Sequence, residues 1–329
     1  MNLPTLSVIV PNYNHAQHLP RCLNALVSQS VQPQEIIVID DGSTDNSVEV
    51  IRGFAGKHPI IKPFQNDKNR GVTWTVNRGI DAAKSEFVYL QASDDEILPG
   101  FFEKSLRLLA QHPQSGLCCT IGDWRELHTG VHWHMGVGMT DQPAFISPPE
   151  VVRLEHQGRF FIPGHTGIYR RDALIKVGKL ISELGHYSDW FSTTVLALRH
   201  GVCVVPEPLA VCNIEPNTYF QRSRRDREKD EAAIEHALRL LTRPEFSDVV
   251  ELFERAGSLY ICGWGTYRVL RRHKEFRRFL TPKYFRKMIW HATRLWLKQR
   301  APAFLVNWYV GIAGYRAGTA KPQPDHAVT

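Results

Sequence analysis

Two adjacent carboxylates, Asp94 and Asp95, with Glu96 beside them, fall within the run FVYLQASDDEIL at Phe87–Leu98. Acids side by side repel one another unless a cation lies between them, and a divalent ion carrying a phosphorylated ligand would satisfy the whole group. Ser-Asp-Asp-Glu is also ordinary composition for a solvated turn, so the rest of the chain has to decide. Three histidines, His128, His132 and His134, crowd the stretch HTGVHWHMGVG. Their spacing matches no standard metal site, and the stretch reads as a loop over a binding cleft. Six scattered cysteines without a CxxC pair carry no metal-ligand spacing and fit a reduced, cytoplasmic setting.

The elements that position the acids follow from apolar periodicity. Phe87–Leu90 is an apolar run with the character of a strand buried on both faces, and the acids follow where it leaves the sheet. Open α/β sheets bind ligands at the carboxyl ends of their strands. Upstream, LSVIV at Leu6–Val10 and the β-branched run Ile36–Ile39 read as strands. Between and after them Leu19, Cys22, Leu23 and Leu26, then Val48, Ile51 and Phe54, recur at helical spacing. Ile60–Phe64 predicts a short strand, Val72–Ala83 a helix, Pro99–Leu109 a helix opened by its proline, and Leu117–Ile121 a further strand. This alternation predicts βαβ units and a mostly parallel sheet flanked by helices.

Ser147-Pro148-Pro149-Glu150 has the form of a capping box. Strand character returns at Gly164–Tyr169, Val202–Pro206 and Leu209–Cys212, with helices at Arg171–Val177 and Asp189–Arg199. Beyond Tyr219 the pattern is helical throughout, which divides the chain into residues 1–218 and a helical extension at 219–329.

Neither the GxGxxG fingerprint nor the GxxxxGK[ST] phosphate loop follows the first strand, so no glycine cradle holds a nucleotide. The start of the chain shows no basic and apolar leader, and the longest late apolar run, Ala301–Tyr315, is too short and too broken to span a bilayer.

SVIVPNYN, VIDDGSTDNS, NRGVTWTVNRGI, QASDDEILPG, TGIYRRDAL and SDWFSTTVLALRHG occur in that order. With these motifs the chain resembles the family 2 glycosyltransferases of GT-A fold over about residues 5–215. The resemblance implies an enzyme that transfers a sugar, most often from a UDP-sugar, to an acceptor hydroxyl with inversion. It implies nucleobase contacts at Pro11 and Tyr13, a base-binding Asp41 beside a more structural Asp40, and Arg70 and Asn77 near the diphosphate and ribose. Asp94 falls at the ribose-side acid and Asp95 at the metal-binding acid, for Mn²⁺ or Mg²⁺. Ser93 stands where the family has an acid.

Asp189 occupies the position of the family's catalytic base, although here Ser188 precedes it in place of an acid. An aspartate heading a helix is equally suited to cap it. Gly164 and His165 fall at an acceptor-side loop, and Trp190 at a place where an indole could stack on a sugar. A sugar nucleotidyltransferase shares the layout but normally carries a glycine- and lysine-rich first loop, which PNYNH lacks. A non-catalytic membrane- or nucleic-acid-binding protein on a degenerate transferase fold is the other alternative, and the intact acids argue against it. The polymerising pattern QxxRW is absent, since RSRRD follows Gln221.

Net charge is +7, and residues 266–300 carry twelve Lys and Arg against one acid, Glu275, so the basicity belongs to one segment. On a helical wheel Tyr284, Phe285, Met288, Ile289, Ala292, Leu295 and Trp296 share an arc, opposite Arg286, Lys287, His291, Arg294 and Lys298. Trp290, Phe304, Trp308 and Tyr309 lie nearby. Such a helix could rest on an anionic membrane beside a saccharide or lipid-linked acceptor, or pack on the catalytic domain with its basic face solvated. No nucleic-acid motif accompanies the charge.

Overall fold

The computed structural model describes residues 2–128, 130–214 and 226–300, except the side chains of 261, 291, 292 and 294–300. Ala301–Tyr315 and the first part of the charged run Arg222–Lys229 lie outside the described residues.

Strands β1 (Leu6–Asn12), β2 (Glu35–Asp40), β3 (Ile61–Gln65) and β4 (Phe87–Leu90) alternate with helices α1 (Leu19–Val27), α2 (Ser47–Lys57) and α3 (Val72–Ala82). All four strands run parallel in the order β3-β2-β1-β4, with Ile9 opposite Ile37 on one side and Leu90 on the other. β1 and β2 are apolar on both faces because helices cover both, as a parallel sheet requires. The carboxyl ends of β1, β2 and β4 therefore open onto one edge.

The two-residue strand β5 (Glu96–Ile97), helix α4 (Phe101–Gln111) and strand β6 (Leu117–Glu126) come next. Pro99 lies just outside α4, whose N-cap is Gly100 in a left-handed conformation. β6 is twice the length expected, and its far end pairs antiparallel with β7 (His132–Met135). The stretch read as a cleft loop is thus half of a β-hairpin. Its residues alternate polar and apolar as a half-buried strand does, but over only four positions, too few to stand out from a loop.

Strand β8 (Ala144–Ile146), helix α5 (Pro148–His156), β9 (Ile168–Arg170), α6 (Arg171–Val177), α7 (Ser188–His200) and β10 (Val202–Ile214) complete the sheet. Ser147 stands at the N-cap of α5, but its side chain makes no cap bond, and Glu150 pairs with Arg153 instead. β9 runs antiparallel between β4 and β6. The two strands expected after α7 are one, kinked by register shifts between Val205 and Ala210.

Helices α8 (Arg227–Leu241), α9 (Ser247–Ala256), α10 (Gly263–Arg272) and α11 (Pro282–Arg300) follow. Leu238, Phe253, Tyr284 and Met288 join Phe191, Leu196 and Leu154 of the preceding part in one apolar cluster. The extension packs on the sheet-bearing part. The helical wheel of α11 also needs a correction: Lys287, assigned to the solvated face, is buried, with Nζ 3.8 Å from the equally buried Glu155 of α5. Ile289 and Trp290, by contrast, are 55% and 70% exposed.

Candidate functional site

At the ends of β1 and β2 the carboxylates organise loops. Asp40 accepts from Asn12 Nδ2 at 3.0 Å and from the Ser43 amide at 3.0 Å. Asp41 accepts from Asn66 Nδ2 at 2.7 Å and from the backbone amides of Arg70 and Gly71 at 2.9 Å each. A carboxylate has about four acceptor sites, so one remains open on Asp41. Gly42 has φ +74°, and a Cβ there would come within 2.8 Å of the Lys68 backbone, so only glycine lets the two loops close up.

Tyr13 is exposed beside this turn, while Pro11 lies within β1 opposite Ile39. The Arg70 guanidinium pairs with Asp67 at 3.0 Å and lies 5.1 Å over the Trp74 ring. Asn77 is engaged elsewhere: its Nδ2 donates to the Leu180 carbonyl and its Oδ1 accepts from the Leu180 amide. It ties α3 to the 179–181 turn.

The acid pair sits past β4, on the same edge. Asp95 is buried, and its Oδ1 accepts from the Asn213 amide at 2.8 Å. The Asp94 carbonyl accepts from Arg21 and from Asn213 Nδ2, so the backbone of the pair is clamped from α1 and β10. Among the described residues neither carboxylate forms an ion pair with a Lys or Arg side chain. Burial, and then the neighbouring charge of Asp94, hold the Asp95 carboxyl well above the usual carboxylate range. A buried carboxyl beside a second acid and without a cationic partner is a donor set that fits a hard divalent ion. Ser93 Oγ lies 2.8 Å from His15 Nδ1, which joins the acid loop to the PNYNH loop.

Asp189 lies one residue inside α7, whose N-cap is Tyr187, so it does not cap the helix. Its Oδ1 accepts from the Trp190 amide at 2.7 Å, and burial raises its carboxyl above the ordinary range. Its Oδ2 is so close to Gly164 that a Cβ there would stand 2.0 Å away. The 164–165 turn is held from beneath by two tyrosines: Tyr89 of β4 donates to the His165 carbonyl at 2.8 Å and Tyr169 of β9 to the Gly164 carbonyl at 3.4 Å. Burial pushes the His165 imidazole down to about 4, and its Nε2 has no hydrogen-bond partner among the described residues.

Gly164, His165 and Asp189 therefore meet. The Trp190 ring packs edge-on to Phe253 at 6.0 Å and to Tyr187 at 6.3 Å.

Sequence reasoning missed Arg21 and Asn213, whose side chains bond the Asp94 carbonyl and carry no motif. It also missed Asp123, which lies opposite His134 on the β6–β7 hairpin.

The family model described as Glycosyl transferase family 2 matches residues 7–178. The chain is 31% identical over 194 residues to the Escherichia coli K12 protein named "Uncharacterized glycosyltransferase YibD", covering 57% of this chain and 55% of that one. It is 28% identical over 229 residues to the Bacillus subtilis "Putative glycosyltransferase EpsH", covering 68% and 64%. The matched region thus spans about half to two thirds of these relatives. In fold it resembles S. aureus TarS 1-349 in complex with UDP-GlcNAc, with TM-score 0.61 and 18% identity over 77% of this chain and 73% of that one. It also resembles the mannosyltransferase PcManGT of Pyrobaculum calidifontis in complex with GDP-Man and Mn2+, with TM-score 0.56 and 17% identity over 96% and 88%.

Proposed function

Since the chain belongs to glycosyl transferase family 2, we propose that it transfers a sugar from a nucleotide diphosphate, with UDP as the carrier, to an acceptor hydroxyl with inversion at the anomeric carbon. The acceptor class is a saccharide or lipid-linked saccharide of the cell envelope, and the reaction belongs to the cytoplasmic side. The observation that carries this reading is the buried Asp95 next to Asp94 at the carboxyl end of β4, a carboxylate pair that forms no ion pair with a Lys or Arg side chain among the described residues.

Asp95 would hold Mn²⁺ or Mg²⁺ and Asp94 would face the ribose. The ion's chemistry is to stabilise negative charge on a leaving diphosphate. Pro11, Tyr13, the open acceptor site of Asp41 and the Arg70 loop lie at the neighbouring strand ends, where a nucleoside would extend from the acids. Asn77 acts in this reading by fixing the 179–181 turn, since its amide is engaged there.

Asp189 is the base. Inversion in one displacement needs a group that takes the acceptor proton on the face opposite the leaving group. A carboxylate with raised proton affinity suits that task better than a solvated one, and Gly164 gives its Oδ2 room beside the His165 turn. Ile289, Trp290 and the cations of α11 would bring the enzyme to an anionic membrane surface.

A thermal-shift panel of nucleotide sugars with and without Mn²⁺ tests the donor reading. UDP-sugars with Mn²⁺ should stabilise wild type, and the metal-dependent part should vanish in Asp95→Asn. Equal stabilisation of both proteins would remove the assignment.

A further inference from the structure

We propose that Asp123, His132 and His134 form a binding site for a divalent transition ion of the zinc class, separate from the acid pair after β4. The hairpin register creates the group. Asp123 lies directly opposite His134 and Arg125 directly opposite His132, so all four side chains share one face, while Trp124 and Trp133 pair on the other with ring centroids 6.0 Å apart. One ligand atom from each of Asp123, His132 and His134 lies within 4.8 Å of the others.

The second observation is an orphan. The Asp123 side chain is only 7% exposed, and its Oδ1 has no hydrogen-bond partner among the described residues. A buried acceptor left unsatisfied is costly, and native structures rarely keep one without a partner from protein, water or an ion. Its neighbours are His132 Nδ1 at 3.5 Å and His134 Nε2 at 3.9 Å. These are too long for hydrogen bonds. They are close to the separation of about 3.4 Å between ligands that share a tetrahedral ion at about 2.1 Å.

The other carboxylate oxygen, Oδ2, accepts from Arg125 Nε at 2.8 Å, which fixes the carboxylate's rotation and leaves Oδ1 for one ion. Two imidazoles and one carboxylate oxygen select zinc-like ions over Mg²⁺, and three protein ligands leave a fourth position for water or another oxygen ligand. Glu96 and Asp123 both pair with Val211, on opposite sides of β10, so their main chains are about 10 Å apart, and the Arg125 guanidinium lies between their carboxylates. An ion here would staple β7 to β6 and so fix Trp124, whose ring meets His165 edge-on at 5.9 Å. The site stands whether or not the chain is a transferase.

The test is Zn²⁺ titration of chelator-treated protein without nucleotide, by calorimetry, with Co²⁺ absorption reporting coordination. Wild type and Asp95→Asn should each bind one equivalent, and Co²⁺ should give the intense visible bands of a four- or five-coordinate ion. His132 is 65% exposed at its side chain, so His132→Ala should keep the fold, checked by circular dichroism, yet weaken binding roughly 100-fold or more. His134→Ala should do the same. Absence of an equivalent in wild type, undiminished binding in both His variants, or loss of binding in Asp95→Asn would each overturn the site.

Discussion

Asp189 and Asp95 share a physical property, a carboxyl held above its ordinary proton affinity by burial, with different consequences. As the proposed base, Asp189 acts in its carboxylate form. The acidic limb of kcat/KM against pH should therefore lie above the range of a solvated aspartate, with activity rising as pH rises through it. Asp189→Asn should lower kcat by about 10²–10⁴-fold while donor binding, read by thermal shift, is kept. Retained turnover would remove it as the base.

For Asp95 the consequence is stability. Its folded value is raised, so between the unfolded and folded values the native state keeps a proton that the unfolded chain has released. Stability falls as pH rises through that window, and the loss is complete above the folded value. Without a divalent ion, Asp95→Asn should accordingly raise Tm at neutral pH, although its Oδ1 bond from Asn213 must be reproduced by the amide oxygen. A lower Tm would mean that the ionised form is better supported here than burial implies.

At the scale of elements, strand ends gather the acids of the 40–41 and 94–95 loops on one edge, and one tight turn brings Gly164 and His165 to Asp189. The Gly164 turn hangs on Tyr89 and Tyr169, neighbouring positions on β4 and β9, and presses on the first turn of α7. Gly164→Ala would push its methyl against Asp189 Oδ2. It should lower kcat by tenfold or more, as roughly 1 Å of misplacement does, with only a small change in Tm. A loss of Tm without loss of kcat would place the strain elsewhere.

These elements differed in how far the sequence revealed them. β1, β2 and β4 were legible because burial on both faces writes unbroken apolar runs. Asp94, Asp95 and Asp189 were legible because they stand at element ends within ordered motifs. The β6–β7 hairpin was not, since Asp123 joins His132 and His134 only through cross-strand register, which no local pattern encodes. The Ser147 box shows the converse: its residues fit the motif, yet Glu150 bonds Arg153 instead of reaching back.

Over the whole molecule, the apolar cluster on one face of the sheet runs on into the C-terminal helices, while that on the other face, with Leu23, Phe101 and Phe102, does not. The buried pair Glu155 and Lys287 lies across that junction, with Lys287 Nζ also donating to the Ala256 carbonyl at 2.8 Å. Burial raises the Glu155 carboxyl and lowers the Lys287 amine, so each charge depends on its partner. Lys287→Met should cost about 3–5 kcal/mol in urea unfolding by stranding Glu155. The double variant with Glu155→Leu should recover most of it, and failure to recover would show that the bonds from Lys287 to backbone carbonyls matter more than the charge pair.

That shared core also decides how the membrane reading can be tested. Removing residues from 266 onward would strip Leu270, Phe276, Tyr284 and Met288 from it and damage the catalytic part along with any lipid contact. Ile289 and Trp290 offer a cleaner probe, because they are largely exposed and so support little of the fold. At about 1.5 kcal/mol for each side chain buried in the interface, Ile289→Ser with Trp290→Ser should weaken binding to anionic vesicles about 100-fold. Tm should stay unchanged, and added salt should weaken wild-type binding further through the basic face of α11. Equal sedimentation of both proteins with anionic vesicles would assign the exposed pair no role at a membrane and leave α11 as a helix that packs on its neighbours in the extension and, through Lys287, on α5.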